Sequence, residues 1–127
     1  MRLLAATAFL MLCIPLVSSV KAHDDLAFYP PVLDVTRDSS GFVQQLIHFA
    51  SVSGDSVRIT RVEGSCRCAT GSVQRSLAYD TVQGKMYLGI NAQHFVDSLN
   101  YVDYTIHHTG SHSPQMFRVI VHLPVKQ

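Results

Sequence analysis

The sequence predicts an all-β domain, an antiparallel sandwich of about seven strands, following an N-terminal signal peptide. Three observations carry this. Apolar residues alternate with polar ones at a period of two through much of the chain beyond residue 30. Clusters of turn-forming residues interrupt them about every 8–12 residues, the spacing of a sandwich. No stretch after the leader keeps a helical period, although Ala92 to Leu99 has room for one or two helical turns.

The leader comes first. Met1-Arg2 is a short positive start, Leu3 to Val17 is almost wholly apolar, and Val20-Lys21-Ala22 offers small residues where a signal peptidase reads. The apolar run falls short of the roughly 20 residues that span a bilayer, so no permanent membrane anchor is expected. Leu12 before Cys13 is too bulky for a lipoprotein cleavage site. The expected organisation is a signal peptide over 1–22, a polar linker over 23–29 and a sandwich domain over 30–127. The protein is therefore expected to be exported, to the periplasm or the outside.

The strands follow in order. Pro30-Pro31 opens the ordered region, and Val32 to Thr36 is the first strand. Asp38-Ser39-Ser40-Gly41 is a turn, Phe42 to Ser51 a second strand and Ser53-Gly54-Asp55 the next turn. Val57, Ile59 and Val62 mark a third strand with a change of register near its end. Ser72 to Tyr79 is a weaker fourth. Met86, Leu88 and Ile90 share one face of a fifth strand, Val102, Tyr104 and Ile106 of a sixth, and Phe117, Val119, Val121 and Leu123 of a seventh. The stretch from His108 to Pro114 is a hairpin loop. In this phase His48 and His122 face solvent, and His107 points outward.

Charge excludes some partners. Removing Arg2 and Lys21 with the leader leaves eight basic against nine acidic residues, a net charge of −1. No field of one sign is available to capture nucleic acid or an anionic membrane. No G-x-S-x-G elbow, H-E-x-x-H helix or glycine-rich phosphate loop is present. The carboxylates of Asp24-Asp25 fall in the linker, away from any environment that would tune them for catalysis.

One local motif carries chemistry: Ser65-Cys66-Arg67-Cys68-Ala69-Thr70. Two thiols one residue apart have three uses. They form a disulfide across a very small ring, they bind a soft metal such as Cu(I), or they exchange disulfides with a partner. For exchange, Arg67 between them is the expected source of a positive charge favouring the thiolate. A metal needs further ligands, and His107, His108, His112 and Met116 lie together near the last hairpin, a loose copper-binding set by composition. The plainer expectation for these histidines is exposed loop positions.

The segment from Val57 to Thr70, with its apolar strand running into Ser65-Cys66-Arg67-Cys68, resembles an uncharacterised family of bacterial exported proteins. Their signature is an apolar strand followed by Ser-Cys-Gly-Cys-Thr. Ile47-His48-Phe49-Ala50-Ser51 resembles the family's F-x-F-x-N strand, and Phe117 to Leu123 its closing strand. Arg67 stands where the family has Gly, Ala69 intervenes before Thr70, and Ser51 replaces Asn. The resemblance implies an immunoglobulin-like sandwich, similar to domains of pilus chaperones and flagellar-associated proteins, and no established enzyme activity. The resulting expectation is a non-enzymatic module that binds another envelope protein or acts structurally. The Val32 to Thr36 strand is its candidate edge for accepting a partner strand. Metal binding or thiol–disulfide exchange through Cys66 and Cys68 is the alternative.

Overall fold

The computed structural model describes residues 24–125, so the signal peptide, Cys13 and His23 lie outside the described residues. Nine strands form two facing sheets: β1 (Leu26–Tyr29), β2 (Leu33–Thr36), β3 (Phe42–Ser51), β4 (Val57–Gly64), β5 (Ala69–Arg75), β6 (Leu77–Ala78), β7 (Gly84–Asn91), β8 (Leu99–His108) and β9 (Gln115–His122). One sheet has the order β1-β3-β7-β5, the other β2-β9-β8-β4-β6. A four-stranded sheet facing one built on the final hairpin and β4 is the arrangement of an immunoglobulin-like sandwich.

The period-two residues do what that pattern requires. Ile47 and Phe49 of β3, Met86, Leu88 and Ile90 of β7, Val102, Tyr104 and Ile106 of β8, and Phe117, Val119 and Val121 of β9 all point into one core. Each large side chain removed from water in this way contributes about 1.5–3 kcal/mol before the entropy of ordering it. Phe28 meets Phe117 edge-on at 5.3 Å between centroids. The Tyr104 hydroxyl crosses the core and donates to the carbonyls of Gly89 (3.0 Å) and Thr70 (3.3 Å), tying one sheet to the other. Burial pushes this phenol above its ordinary pKa.

Several expectations are corrected. The strands number nine rather than about seven, and one pair, β2 with β9, is parallel. Residues 26–29 of the expected 23–29 linker are strand β1, paired antiparallel to β3 from Leu26↔Ser51 to Tyr29↔His48, because Leu26 and Phe28 are core residues. Asp25 is no linker residue either: it is 3 % exposed. Of the stretch Ala92 to Leu99, residues 92–98 form turns and bends rather than helix and Leu99 opens β8, with the Ala92 and Phe95 carbonyls accepting from the Arg37 side chain. His108 belongs to β8 and is buried, in phase with Ile106. His48 is half-buried, with Nδ1 enclosed and lacking a hydrogen-bond partner. The expected register change in the third strand is present, between Ile59 and Arg61 of β4.

Candidate functional site

The Cys66-Arg67-Cys68 segment is the corner at which the chain leaves one sheet for the other. Ser65 still belongs to the β4·β8 ladder: its N–H donates to Asp103 O (2.8 Å), and its Oγ accepts from Asp103 N–H (3.1 Å). Cys68 already belongs to the β5·β7 ladder, its carbonyl accepting from Asn91 N–H (2.8 Å). Between them Cys66 and Cys68 are joined by a disulfide, with Cα atoms 5.1 Å apart. Cys66 and Arg67 are exposed, whereas Cys68 is half-buried and packs against the core. Gly64 and Gly71 make the corner tight, since a Cβ at Gly64 would fall on Ala69 and one at Gly71 on Val62. Beside the disulfide lies a depression of about 480 Å³ walled by Phe95, Leu99 and Tyr101.

The candidate metal ligands are not brought to this corner. β8 places Asp103 beside Ser65 but pairs His107 with Arg61, four positions further on, roughly 13 Å at strand rise. His107 faces outward and contacts Glu63 at 2.7 Å, with Arg61 3.4 Å from the same carboxylate. The His107 hydrogen bond and then the Arg61 charge hold Glu63 below the usual carboxylate range. Met116 is exposed on β9, opposite Thr105. Among the described residues no three His, Cys, Asp or Glu side chains surround a point where one ion would sit.

His108 and His112 instead join a buried polar cluster that attaches β1 to the last hairpin. Asp25, His108 and Gln115 are 3 %, 6 % and 8 % exposed. Gln115 Oε1 accepts from the N–H groups of Asp25 (3.1 Å) and Leu26 (2.9 Å), and its Nε2 donates to Leu26 O (3.0 Å). Asp25 Oδ2 accepts from His112 N–H (2.8 Å). His108 Nδ1 accepts from Gly110 N–H (3.0 Å), which puts the ring proton on Nε2, an atom enclosed without a hydrogen-bond partner. Burial holds His108 below its ordinary pKa, against the opposing pull of Asp25. A Cβ at Gly110 would collide with the Asp25 carboxylate.

This hairpin holds a serine, a histidine and an aspartate in proximity. Ser111 Oγ lies 3.0 Å and Asp25 Oδ2 3.5 Å from His112. Both contacts fall on the same nitrogen, Nδ1, whereas proton relay from a serine needs the hydroxyl and the carboxylate on opposite ring nitrogens. The trio is a loop anchor in geometry.

Another feature was invisible in the sequence. β2 pairs only with Val119–His122, so the first half of β9 is open on that side, and β1 is the edge of the opposite sheet. In the angle between them runs a groove of about 1220 Å³. Exposed Tyr29, Val32, Val52 and Met116 converge on it. These four come from three separate parts of the chain, Tyr29 with Val32, Val52 and Met116, and only the fold assembles them.

No family model matches the chain, and no curated protein matches it in sequence. Solved structures match in fold. A protein of unknown function from Porphyromonas gingivalis W83 superposes with a TM-score of 0.65 at 13 % identity, over 83 % of this chain and 50 % of its own. The VesB protease of Vibrio cholerae gives 0.56 at 14 % identity, over 80 % and 32 %. The secreted serine protease VesC of the same organism gives 0.51 at 8 %, over 71 % and 21 %. The chain thus spans half or less of each of these larger proteins, and at such identities the shared property is the sandwich itself.

Proposed function

We propose that the chain is an exported, non-enzymatic binding module of the cell envelope, taking an extended segment of another protein along its β1–β2 flank. The observation that supports this best is the groove where Tyr29, Val32, Val52 and Met116 converge. Exposed apolar residues gathered around one concavity mark an interaction surface.

The adjoining edges define how a segment would lie. Val52 N–H donates to Asp25 O, which turns the odd residues of β1 toward β3 and the Leu26 peptide outward. Gln115 occupies that outward peptide, and Pro30 offers no N–H, so β1 is largely capped against strand addition. β2, the strand expected to be an edge, is one. Arg37 N–H donates to His122 O, which leaves the Asp34 and Thr36 peptides facing away from β9. A partner strand pairs there, and where it runs on past Val32, the end of this edge that lines the groove, its apolar side chains enter it. The same fold forms a part of three larger chains, which supports a module that works against a neighbouring polypeptide.

A photo-crosslinker at Met116 in the exported protein tests the reading. A discrete adduct is expected, absent with the crosslinker at exposed Tyr79 on the far side. Val32→Lys with Met116→Lys is expected to weaken partner binding by about tenfold or more, as loss of an apolar anchor does. Thr36→Pro removes an outward N–H and weakens it too. Equal labelling from Met116 and Tyr79, undiminished by the lysines, would sink the proposal.

A further inference from the structure

The Cys66–Cys68 disulfide takes no part in the flank groove. It sits where the chain crosses between sheets, beside a depression of its own. We propose that this disulfide is a stoichiometric oxidant, consumed once per exchange, of cysteine pairs in other exported polypeptides, and that the depression holds the apolar residues flanking the partner's cysteine.

Three features support this independently of the flank reading. The two sulfurs differ in access: Cys66 is exposed, whereas Cys68 packs against the core beside Ala69. Attack proceeds along the sulfur–sulfur axis, so an incoming thiolate reaches Cys66, and Cys68 is the leaving sulfur. Arg67, exposed and next in sequence to both cysteines, brings a positive charge to the segment, and such a charge stabilises a departing thiolate. Leu99 and Tyr101 stand exposed beside the disulfide, and Phe95 packs against the core behind the same depression, so apolar and aromatic side chains stand there among the polar Ser65, Asp97 and Asn100. A chain that has not yet folded exposes apolar residues around its cysteines and fits such a surface. A folded protein does not.

The chemistry balances without another reagent. A partner thiolate bonds to Cys66 Sγ, the Cys66–Cys68 bond breaks, and its electron pair leaves on Cys68. The partner's second thiolate then attacks its own sulfur in the mixed disulfide, and that electron pair leaves on Cys66. The two protons lost from the partner's thiols end on Cys66 and Cys68. The partner dithiol is oxidised and the Cys66–Cys68 pair is reduced.

The test mixes the oxidised exported protein with a synthetic peptide carrying two cysteines flanked by Leu and Phe, or the same peptide with Ser flanks. The peptide disulfide and the protein thiols are followed by intact mass after alkylation. Oxidation of the apolar peptide is expected to run about tenfold faster than that of its Ser-flanked counterpart, the effect of burying one or two apolar side chains. Leu99→Ser with Tyr101→Ser is expected to erase that difference while leaving the slow basal exchange. Cys68→Ser is expected to trap the peptide on Cys66 after activation of that thiol as a mixed disulfide, whereas Cys66→Ser is expected to trap far less. The wild-type kinetics stand even where a variant folds poorly. A disulfide that exchanges no faster than free oxidised glutathione overturns the proposal. So does equal oxidation of both peptides.

Discussion

Gln115 shows how much one side chain does in this fold. Its amide satisfies three buried backbone groups at the entrance to the first strand, the Asp25 N–H and the Leu26 N–H and carbonyl. Gln115→Leu keeps the volume but strands those groups. The expected cost is about 3 kcal/mol of unfolding free energy, read by urea denaturation. Tyr104→Phe removes the hydroxyl that bonds between the sheets, with an expected loss of about 1 kcal/mol. His108 sets a pH dependence. Its folded pKa lies below the ordinary 6.5, so the unfolded chain takes up the proton first. Stability is therefore complete above pH 6.5 and falls as pH drops toward the folded value. Urea midpoints across that range check the sign, and His108→Gln is expected to flatten the fall. These burials were partly legible. Gln115 continues the inward phase of Phe117, Val119 and Val121, and His108 that of Tyr104 and Ile106. Phase alone predicts an inward side chain but not its partner, and Asp25 lies ninety residues from Gln115.

Strands whose burial is one-sided were readable because only a period of two keeps one face in the core. β3 runs from Phe42 to Ser51 as the pattern indicates, and the bulge in β4 falls where Val57, Ile59 and Val62 break step. β1 escaped because it is four residues long and ends at Pro30, so Leu26 and Phe28 alone carried the signal. β6 has two residues and no period at all. At this scale two substitutions are decisive. Gly84 of β7 lies under the Phe49 ring, and a Cβ there would overlap it. Gly84→Ala is expected to destabilise by about 1–3 kcal/mol through overpacking, seen as a lower Tm. The double variant Cys66→Ser, Cys68→Ser opens a corner whose ring spans only Arg67. The expected loss is about 1.5 kcal/mol by chain entropy, and circular dichroism should show an intact sandwich.

For the molecule as a whole, composition and period were enough to specify two packed sheets, since each half-apolar sheet must cover the other. The groove was not legible, because Tyr29, Val32, Val52 and Met116 meet only once the chain has passed from one sheet to the other at Pro30-Pro31. That crossing has a mechanical consequence. β2 near the start of the domain and β9 at its end run parallel, Leu33 beside Val119 and Thr36 beside His122. A pull on the beginning of β2 against the end of β9 slides the two strands lengthwise and loads all their hydrogen bonds at once. Antiparallel neighbours pulled from the same two ends would peel open one bond at a time. The sandwich is thereby resistant along the line from the start of β2 to the end of β9, the direction in which those two strands shear.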